Sequence, residues 1–162
     1  MLSITALLTS VENLLIKNNT STSSWYISNG LNEKVRSFYK GNDGFSENKP
    51  IAKTQYPAIC VELKSKNEEI KIISREKRDA TIRMTIVCIT NYISGLTDTK
   101  ENSDMESIAL SQNVEYLIRN NVTLSATVHM MQIESTEYGV DIREDYYNAV
   151  SRIHLLINMY NI

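Results

Sequence analysis

The residues best suited to chemistry in this chain of 162 residues are Glu62 and Lys64, which are separated by Leu63. Metal-dependent nucleases use this Glu-x-Lys spacing: the carboxylate holds Mg²⁺ and the lysine orients the attacking water. Alternation along a strand puts both side chains on the same face, as such a site requires. A second carboxylate is also needed on a preceding paired strand, but Asp43 and Glu47 lie in an irregular stretch. A Mg²⁺-dependent nuclease is therefore an alternative, and a charged pair on a solvated strand face is the commoner case.

The remaining reactive side chains predict no further site. His129 and His154 lie in the two closing strands and would face each other across them, but two histidines without a third ligand make a poor metal site. The sequence has no Gly-rich phosphate loop and no G-x-S-x-G turn. Cys60 and Cys88 lie in strand-like runs without a CxxC pattern, which favours buried free thiols. We therefore predict a protein that is not an enzyme and that binds no metal or cofactor.

Length and charge narrow the class of protein. A chain of 162 residues fits one domain, spanning residues 1–162. The net charge of −2 implies no general attraction to nucleic acid or to anionic membranes. The longest apolar runs fall far below the ~18 residues that a membrane-spanning helix needs, and the N-terminus lacks the features of a signal peptide. These observations predict a chain that is made in the cytoplasm and has no membrane partner.

Two segments have helical periodicity. The first runs from Ser3, a plausible N-cap, to about Asn18, with an apolar face at helical spacing: Ile4, Leu7, Leu8, Val11, Leu14 and Leu15. The second is 103–121, where Ser103 and Glu106 match a capping box. Its predicted apolar stripe consists of Met105, Ile108, Ala109, Leu117 and Ile118.

Strand-like alternation accounts for most of the remainder. The predicted strands are 56–64, 69–74, 78–92, 123–134 and 146–161, with an acidic turn at 135–145. The fourth strand would turn Leu124, Ala126, Val128 and Met130 to one face. In the third strand, Val87 and Ile89 make the second half apolar on both faces, which predicts that this half is covered on both sides. We therefore predict an α+β fold: one antiparallel or mixed sheet of about five strands, with two helices packed on one face.

Residues 19–56 are the least regular part of the chain and form the predicted arm or hairpin. Such a long stretch without periodicity is unusual inside a compact domain, yet its aromatic residues, including Trp25 and Phe38, argue against plain disorder. Two explanations stay open: an arm that orders against a neighbouring subunit, and a surface loop folded on its own domain.

Opposite charges are concentrated in separate segments. Basic residues surround the turns at 64–78 and include Arg75, Lys77 and Arg78, with Lys64, Lys66 and Lys71 beside them. Acidic residues occupy the turn before the last strand: Glu134, Glu137, Asp141, Glu144 and Asp145. Such clusters commonly serve solubility. Segregated opposite charges also suit head-to-tail contact between identical subunits, which makes these eight positions (Arg75, Lys77, Arg78 and the five acidic residues) candidate interaction residues.

The order of elements and several segments resemble the tail-terminator proteins of tailed phages and phage-tail-like particles. The likeness is carried by "YPAICVEL", "RDATIRMTIVCIT", "DMESIALSQNVEYLIRN" and "YYNAVSRIHLLINMY", and it covers most of the chain except 19–55. The resemblance implies a small α/β subunit that forms a hexameric ring on the head-proximal end of the tail tube. That ring would stop tube elongation and offer a surface to the neck. The family has no catalytic residues to transfer to this chain.

The resemblance also implies partners and a location. These are further copies of the chain, the tail tube and sheath, the neck or connector proteins, and DNA that only passes through the lumen. The protein would be made in the host bacterial cytoplasm and end in the virion. If the ring surrounds the DNA path, the acidic cluster would give an acidic lumen. Two alternatives remain: another neck or head-closure connector, and the Mg²⁺-dependent nuclease using Glu62 and Lys64.

Overall fold

The fold is one mixed sheet with helices packed on it, as seen in a computed structural model. The structure describes residues 4–20, 31, 35–41, 55–70, 78–92, 100–124, 128–143 and 146–159. The elements in these ranges are α1 (Ile4–Lys17), β1 (Ser37–Lys40), β2 (Ala58–Ile70), β3 (Arg78–Tyr92), α2 (Lys100–Asn120), β4 (Val128–Arg143) and β5 (Tyr146–Met159). The strand order is β1-β2-β3-β5-β4, in which β1 runs parallel to β2 and the other neighbours are antiparallel. The predicted α+β class is confirmed.

The main core lies between the sheet and both helices. Leu7, Val11 and Leu15 of α1 are fully buried, as their spacing predicts. They belong to the same apolar cluster as the buried side chains of α2 and the helix-facing side chains of the sheet. The sheet supplies to this cluster Ile59, Val61, Ile82, Met84, Ile86, Cys88, Met131, Ile153, Leu155, Ile157 and Met159. Both helices therefore cover one face, and burial of this set supplies the main driving force for folding.

A smaller apolar cluster lies on the opposite face. Val87 and Ile89 are each 2% exposed and pack there with Cys60 and Val150, which confirms that this half of β3 is covered on both faces. Cys60 lies on this face and Cys88 on the helix face, and both are buried free thiols as predicted. Burial raises the pKa of the Cys88 thiol above its ordinary value, because the thiolate would lose its hydration.

The start of α2 differs from the prediction. The helix begins at Lys100, so Ser103 lies inside it and is not its N-cap. Ser103 is 3% exposed because it packs on β3, where the Thr90 hydroxyl donates to the Ser103 carbonyl at 2.6 Å. Met105 is 48% exposed and does not belong to the apolar stripe. Ala109, Leu117 and Ile118 are buried as predicted, and Leu110 and Val114 are buried with them. The buried polar residues of the helix are Ser103, Ser107, Ser111 and Asn113.

The closing strands also differ from the prediction. β4 begins at Val128 and continues to Arg143, so most of the predicted turn 135–145 is strand. The register shifts between Val128 and Met130, and again between Ile133 and Ser135. A bulge inserts a residue and reverses which side chains face the core. For this reason Met131 is buried while Met130 is 40% exposed, contrary to the predicted alternation.

The described part of the irregular stretch 19–56 contains one strand, β1. β1 pairs with the start of β2, and Lys40 forms an ion pair with Glu12 of α1 at 3.1 Å. Leu31 and Val35 are buried in the main core, so the described part of this stretch packs on its own domain. Most of the stretch lies outside the described residues, as does the predicted cap Ser3.

The predicted break at 65–67 is also not a turn, because β2 runs through it with a register shift and ends at Ile70 opposite Arg78. A search of the described residues finds no helix that is long and apolar enough to cross a membrane.

Candidate interaction surface

The Glu62–Lys64 pair lies on one face of β2, as the spacing predicts. Lys64 Nζ is 2.6 Å from Glu62 Oε2, and the Glu62 side chain is only 10% exposed. Lys64 neutralises the buried carboxylate within the same strand, which explains how this charge is tolerated. Across the described residues, no three His, Cys, Asp or Glu side chains come close enough together to hold a metal ion.

A row of polar side chains crosses the sheet beside this pair. Glu62, Thr85, His154 and Ser135 lie opposite one another in neighbouring strands. Thr85 Oγ1 is 3.0 Å from His154 Nδ1, and His154 Nε2 is 3.5 Å from Glu137 Oε2. Thr85, His154 and Glu137 thus follow the order of nucleophile, base and acid that catalytic triads have. Thr85 is fully buried, however, so its hydroxyl does not meet a substrate, and we interpret the row as cross-strand stabilisation.

The two histidines do not face each other. His154 lies opposite Ser135, whereas His129 lies at the bulge near the far end of β5, between the pairs made by Val128 and Met130. The six residues from 129 to 135 correspond to about 20 Å along a strand. The predicted facing arrangement is therefore wrong, because the pairing register separates the two residues along the strands.

The acidic candidates Glu134 and Glu137 lie on a strand and not on a turn. Glu134 Oε2 is 3.5 Å from Arg83 Nε, and Glu137 lies opposite Arg152 and near His154. These ion pairs are partly exposed and contribute little stability, on the order of 0–1 kcal/mol each. Both carboxylates are therefore still available to a partner on the face opposite the helices.

The other six candidates are only partly located. Arg78 and Asp141 belong to β3 and β4, and their side chains are outside the described residues. Arg75, Lys77, Glu144 and Asp145 also lie outside the described residues. The backbone register still shows that Arg78 begins β3 at one end of the sheet, whereas the β4–β5 connection lies at the other end. The described strand ends next to the two charged connections therefore lie at opposite ends of the sheet.

The outer edge of β4 is the most distinctive surface. In the strand order β4 is terminal, and among the described residues no strand pairs with its outer side. Near its start, the Met131 N–H donates to the Val122 carbonyl at 2.8 Å. Further along, Tyr138 is 54% exposed and Val140 is 52% exposed. An edge strand with exposed apolar side chains is a template for pairing with another chain.

A groove of about 280 Å³ lies beside these two side chains, between β4, β5 and the first half of α2. Its lining comprises Asp104, Ser107, Ile108, Tyr138, Gly139, Val140, Ala149, Val150 and Ser151. Tyr147 of β5 donates from its hydroxyl to Asp104 Oδ1 at 2.6 Å, and this bond fixes the start of α2 to the sheet. The same hydrogen bond to the carboxylate raises the pKa of Tyr147 to about 12, with burial and the negative charge adding to the effect.

Sequence reasoning missed this edge because it assigned Tyr138-Gly139-Val140 to a turn. The signal that would have found it is the alternation of Thr136, Tyr138, Val140 and Ile142, which continues period-2 spacing through the predicted turn. Glycine and neighbouring acidic residues favoured the turn interpretation over this pattern.

Comparison with known proteins adds no family assignment. A scan against protein-family models gives no match, and a search of curated proteins finds no relative of this chain.

Proposed function

We propose that this chain is a structural virion subunit that forms a ring, hexameric as the resemblance implies, on the head-proximal end of a phage-type tail tube. The ring stops tube elongation and joins the tail to the neck. Its partners are further copies of the chain, the tube and sheath proteins, the neck proteins, and DNA that passes through the lumen. The subunit is made in the host bacterial cytoplasm and functions in the virion, without a cofactor.

The observation that carries the proposal is the outer edge of β4. This strand is 16 residues long, and it exposes Tyr138 and Val140 beside a groove. Natural edge strands are commonly short, charged or covered, because an open apolar edge invites association. A subunit that works only in an assembly uses such an edge productively, and a monomeric protein has no use for it.

The distribution of charge supports a head-to-tail ring. The acidic residues Glu134 and Glu137 lie on β4, and the basic segment lies at the connection between β2 and β3. When different surfaces of identical subunits meet, the assembly closes into a ring if the rotation permits. Carboxylates that face the lumen would repel DNA and let it slide.

The deciding experiment is electron microscopy of particles assembled without this protein. Overlong tails are expected, because nothing would stop tube growth, and supplying the wild-type chain should restore a uniform length. Tails of normal length that lack heads would contradict termination and identify a neck connector instead. If the wild-type chain cleaved DNA in a Mg²⁺-dependent reaction and Glu62→Ala did not, a nuclease function would replace both the terminator and the connector.

A further inference from the structure

The outer edge of β4 is regular and open over its second half. Towards the start of the strand, the Val122 carbonyl accepts a backbone hydrogen bond from β4, and two register shifts interrupt the pairing with β5. From Ser135 to Arg143 that pairing is continuous, and among the described residues no strand lies on the outer side. Residues 137–140 are all exposed. The part of the edge that is available to a partner is therefore 135–143.

This part of the edge has two chemically different sides. Tyr138 and Val140 lie on the helix side and are the two most exposed large apolar side chains in the described part of the chain. Glu137 lies on the opposite side, where its carboxylate is 3.5 Å from His154 Nε2. The continuous register assigns positions 139, 141 and 143 to the Glu137 side and position 142 to the Tyr138 side.

The sequence of the edge is complementary to itself. In an antiparallel pair, residues that lie directly opposite share a face. When two copies of the edge pair with Val140 opposite its own equivalent, Glu137 of each copy lies opposite Arg143 of the other, so opposite charges meet twice. In the same register Tyr138 lies opposite Ile142 of the second copy, so apolar residues meet on the helix side.

The charges select this register over its neighbours. Positions 137 and 143 lie opposite each other only when Val140 is at the centre of the pairing. A pairing centred on Gly139 would instead put Glu137 opposite Asp141, and like charges directly opposite each other are destabilising.

We propose that two copies of the free chain form a dimer through the outer edges of β4, which pair antiparallel about a two-fold axis at Val140. The two sheets then join into one continuous sheet. Backbone hydrogen bonds give the contact its affinity, and burial of Tyr138 and Val140 adds an apolar contribution.

This dimer goes beyond the proposed function. A two-fold contact uses the same surface on both copies, so it does not propagate around a ring. The dimer is therefore the form of the chain before it joins a virion. It covers an edge that would otherwise invite unwanted association, until a contact in the assembly replaces the second copy.

Cysteine cross-linking tests the register. Val140→Cys places two thiols directly opposite each other, where Cα atoms are about 4.5–5.5 Å apart and a disulfide can form. Mild oxidation should therefore convert most of this variant into a covalent dimer on a non-reducing gel. Tyr138→Cys should not cross-link, because its two thiols would be about 13 Å apart along the strands. Gln112→Cys, at an exposed position of α2, controls for random collision, and the wild-type chain with its two buried cysteines is the blank.

Charge exchange tests the same register without a covalent bond. Glu137→Arg and Arg143→Glu each put like charges opposite each other twice, and each should weaken dimerisation by about tenfold in sedimentation over a range of concentrations. The double variant exchanges the two charges within one chain, so it should recover dimerisation to within about threefold of wild type. The controls are Asn13→Arg and Lys17→Glu, at exposed positions of α1, which should leave dimerisation unchanged. Thermal unfolding of each variant separates a lost contact from lost folding.

The outcomes separate the dimer from the proposed ring. A concentration-dependent dimer that Val140→Cys cross-links, and that the double variant restores, supports the contact. A wild-type chain that is monomeric at every concentration overturns it, as does cross-linking of Tyr138→Cys that equals that of Val140→Cys. A larger assembly that Val140→Cys does not cross-link also overturns the dimer, and it favours a head-to-tail ring contact. Tail length in particles without the protein tests the function by itself, so either proposal can fail without the other.

Discussion

Replacing Ser151 with alanine should destabilise the fold more than replacing Ser107, although the two hydroxyls contact each other. Ser107 lies in α2 and Ser151 in β5, and their Oγ atoms are 2.7 Å apart. The Ser151 hydroxyl also reaches the Ser107 carbonyl oxygen at 3.2 Å. Both residues are buried, with 2% and 0% exposure respectively. The pair therefore holds the first half of α2 on the sheet beside the groove.

The difference in cost follows from what each change leaves behind. In Ser107→Ala the Ser151 hydroxyl can still donate to the backbone carbonyl of residue 107, and alanine has the better helix propensity. The free energy of unfolding should therefore fall by only about 0–1 kcal/mol. Ser151→Ala leaves the Ser107 hydroxyl buried without its β5 partner, a situation that costs about 1–3 kcal/mol. A helical serine can turn back to the carbonyl one turn earlier, so we expect about 1–2 kcal/mol. In the double variant both hydroxyls are gone, and its stability should exceed that of Ser151→Ala.

Urea unfolding at one fixed protein concentration measures these free energies of unfolding. The control is Gln112→Ala, an alanine substitution at an exposed position in the same helix, which should change the free energy of unfolding by less than about 0.5 kcal/mol. A cost for Ser107→Ala equal to or above that for Ser151→Ala would refute the assigned hydrogen bonds. A double variant as unstable as the sum of the single variants would refute the coupling between the two hydroxyls.

Two further predictions test the packing and electrostatics of α2. Leu110→Ala should lower the free energy of unfolding, measured with urea, by about 2–5 kcal/mol because Leu110 is fully buried. Met105→Ala should lower it by less than about 0.5 kcal/mol because Met105 is 48% exposed. Equal costs would contradict the orientation of α2 on the sheet. The pKa of Tyr147 is raised from 10.0 to about 12, so the stabilisation from its bond to Asp104 is complete below pH 10.0 and is lost as pH rises towards about 12. Ultraviolet titration of the phenol should show this pKa moving back towards 10.0 in Asp104→Asn, and a native phenol that already titrates at 10.0 would exclude the bond.

The elements that could be predicted from sequence are those with uninterrupted periodicity. β3 has the predicted bounds because its apolar positions alternate from Ala80 to Cys88 without a break. β5 follows for the same reason, and its apolar side from Ala149 to Met159 faces the core as predicted. In α1, three turns of regular apolar spacing determine the buried face. In each case a single period describes the whole element, so the pattern alone determines the face.

The errors occur where the period is interrupted or where small polar side chains are buried. The register shift between Val128 and Met130 exchanges the faces of Met130 and Met131, and a bulge has no reliable signature in one sequence. Ser103 matches a cap by type and spacing, but tertiary contact with Thr90 places it inside the helix. Serine fits both a helix end and a tight helix–sheet contact, so its type alone does not distinguish them.

The candidate surface shows why charge was a poor guide on its own. The sequence analysis assigned Glu137 to a turn with Glu134 beside it, where the acidic side chains would have formed a single negative cluster, but both residues lie on β4. On a strand the neighbouring positions alternate between faces, so Glu137 and Tyr138 point to opposite sides of the same edge. A cluster of like-charged side chains selects a partner only by the sign of the partner's charge. A two-sided edge also requires a particular spacing of charged and apolar residues in any segment that pairs with it.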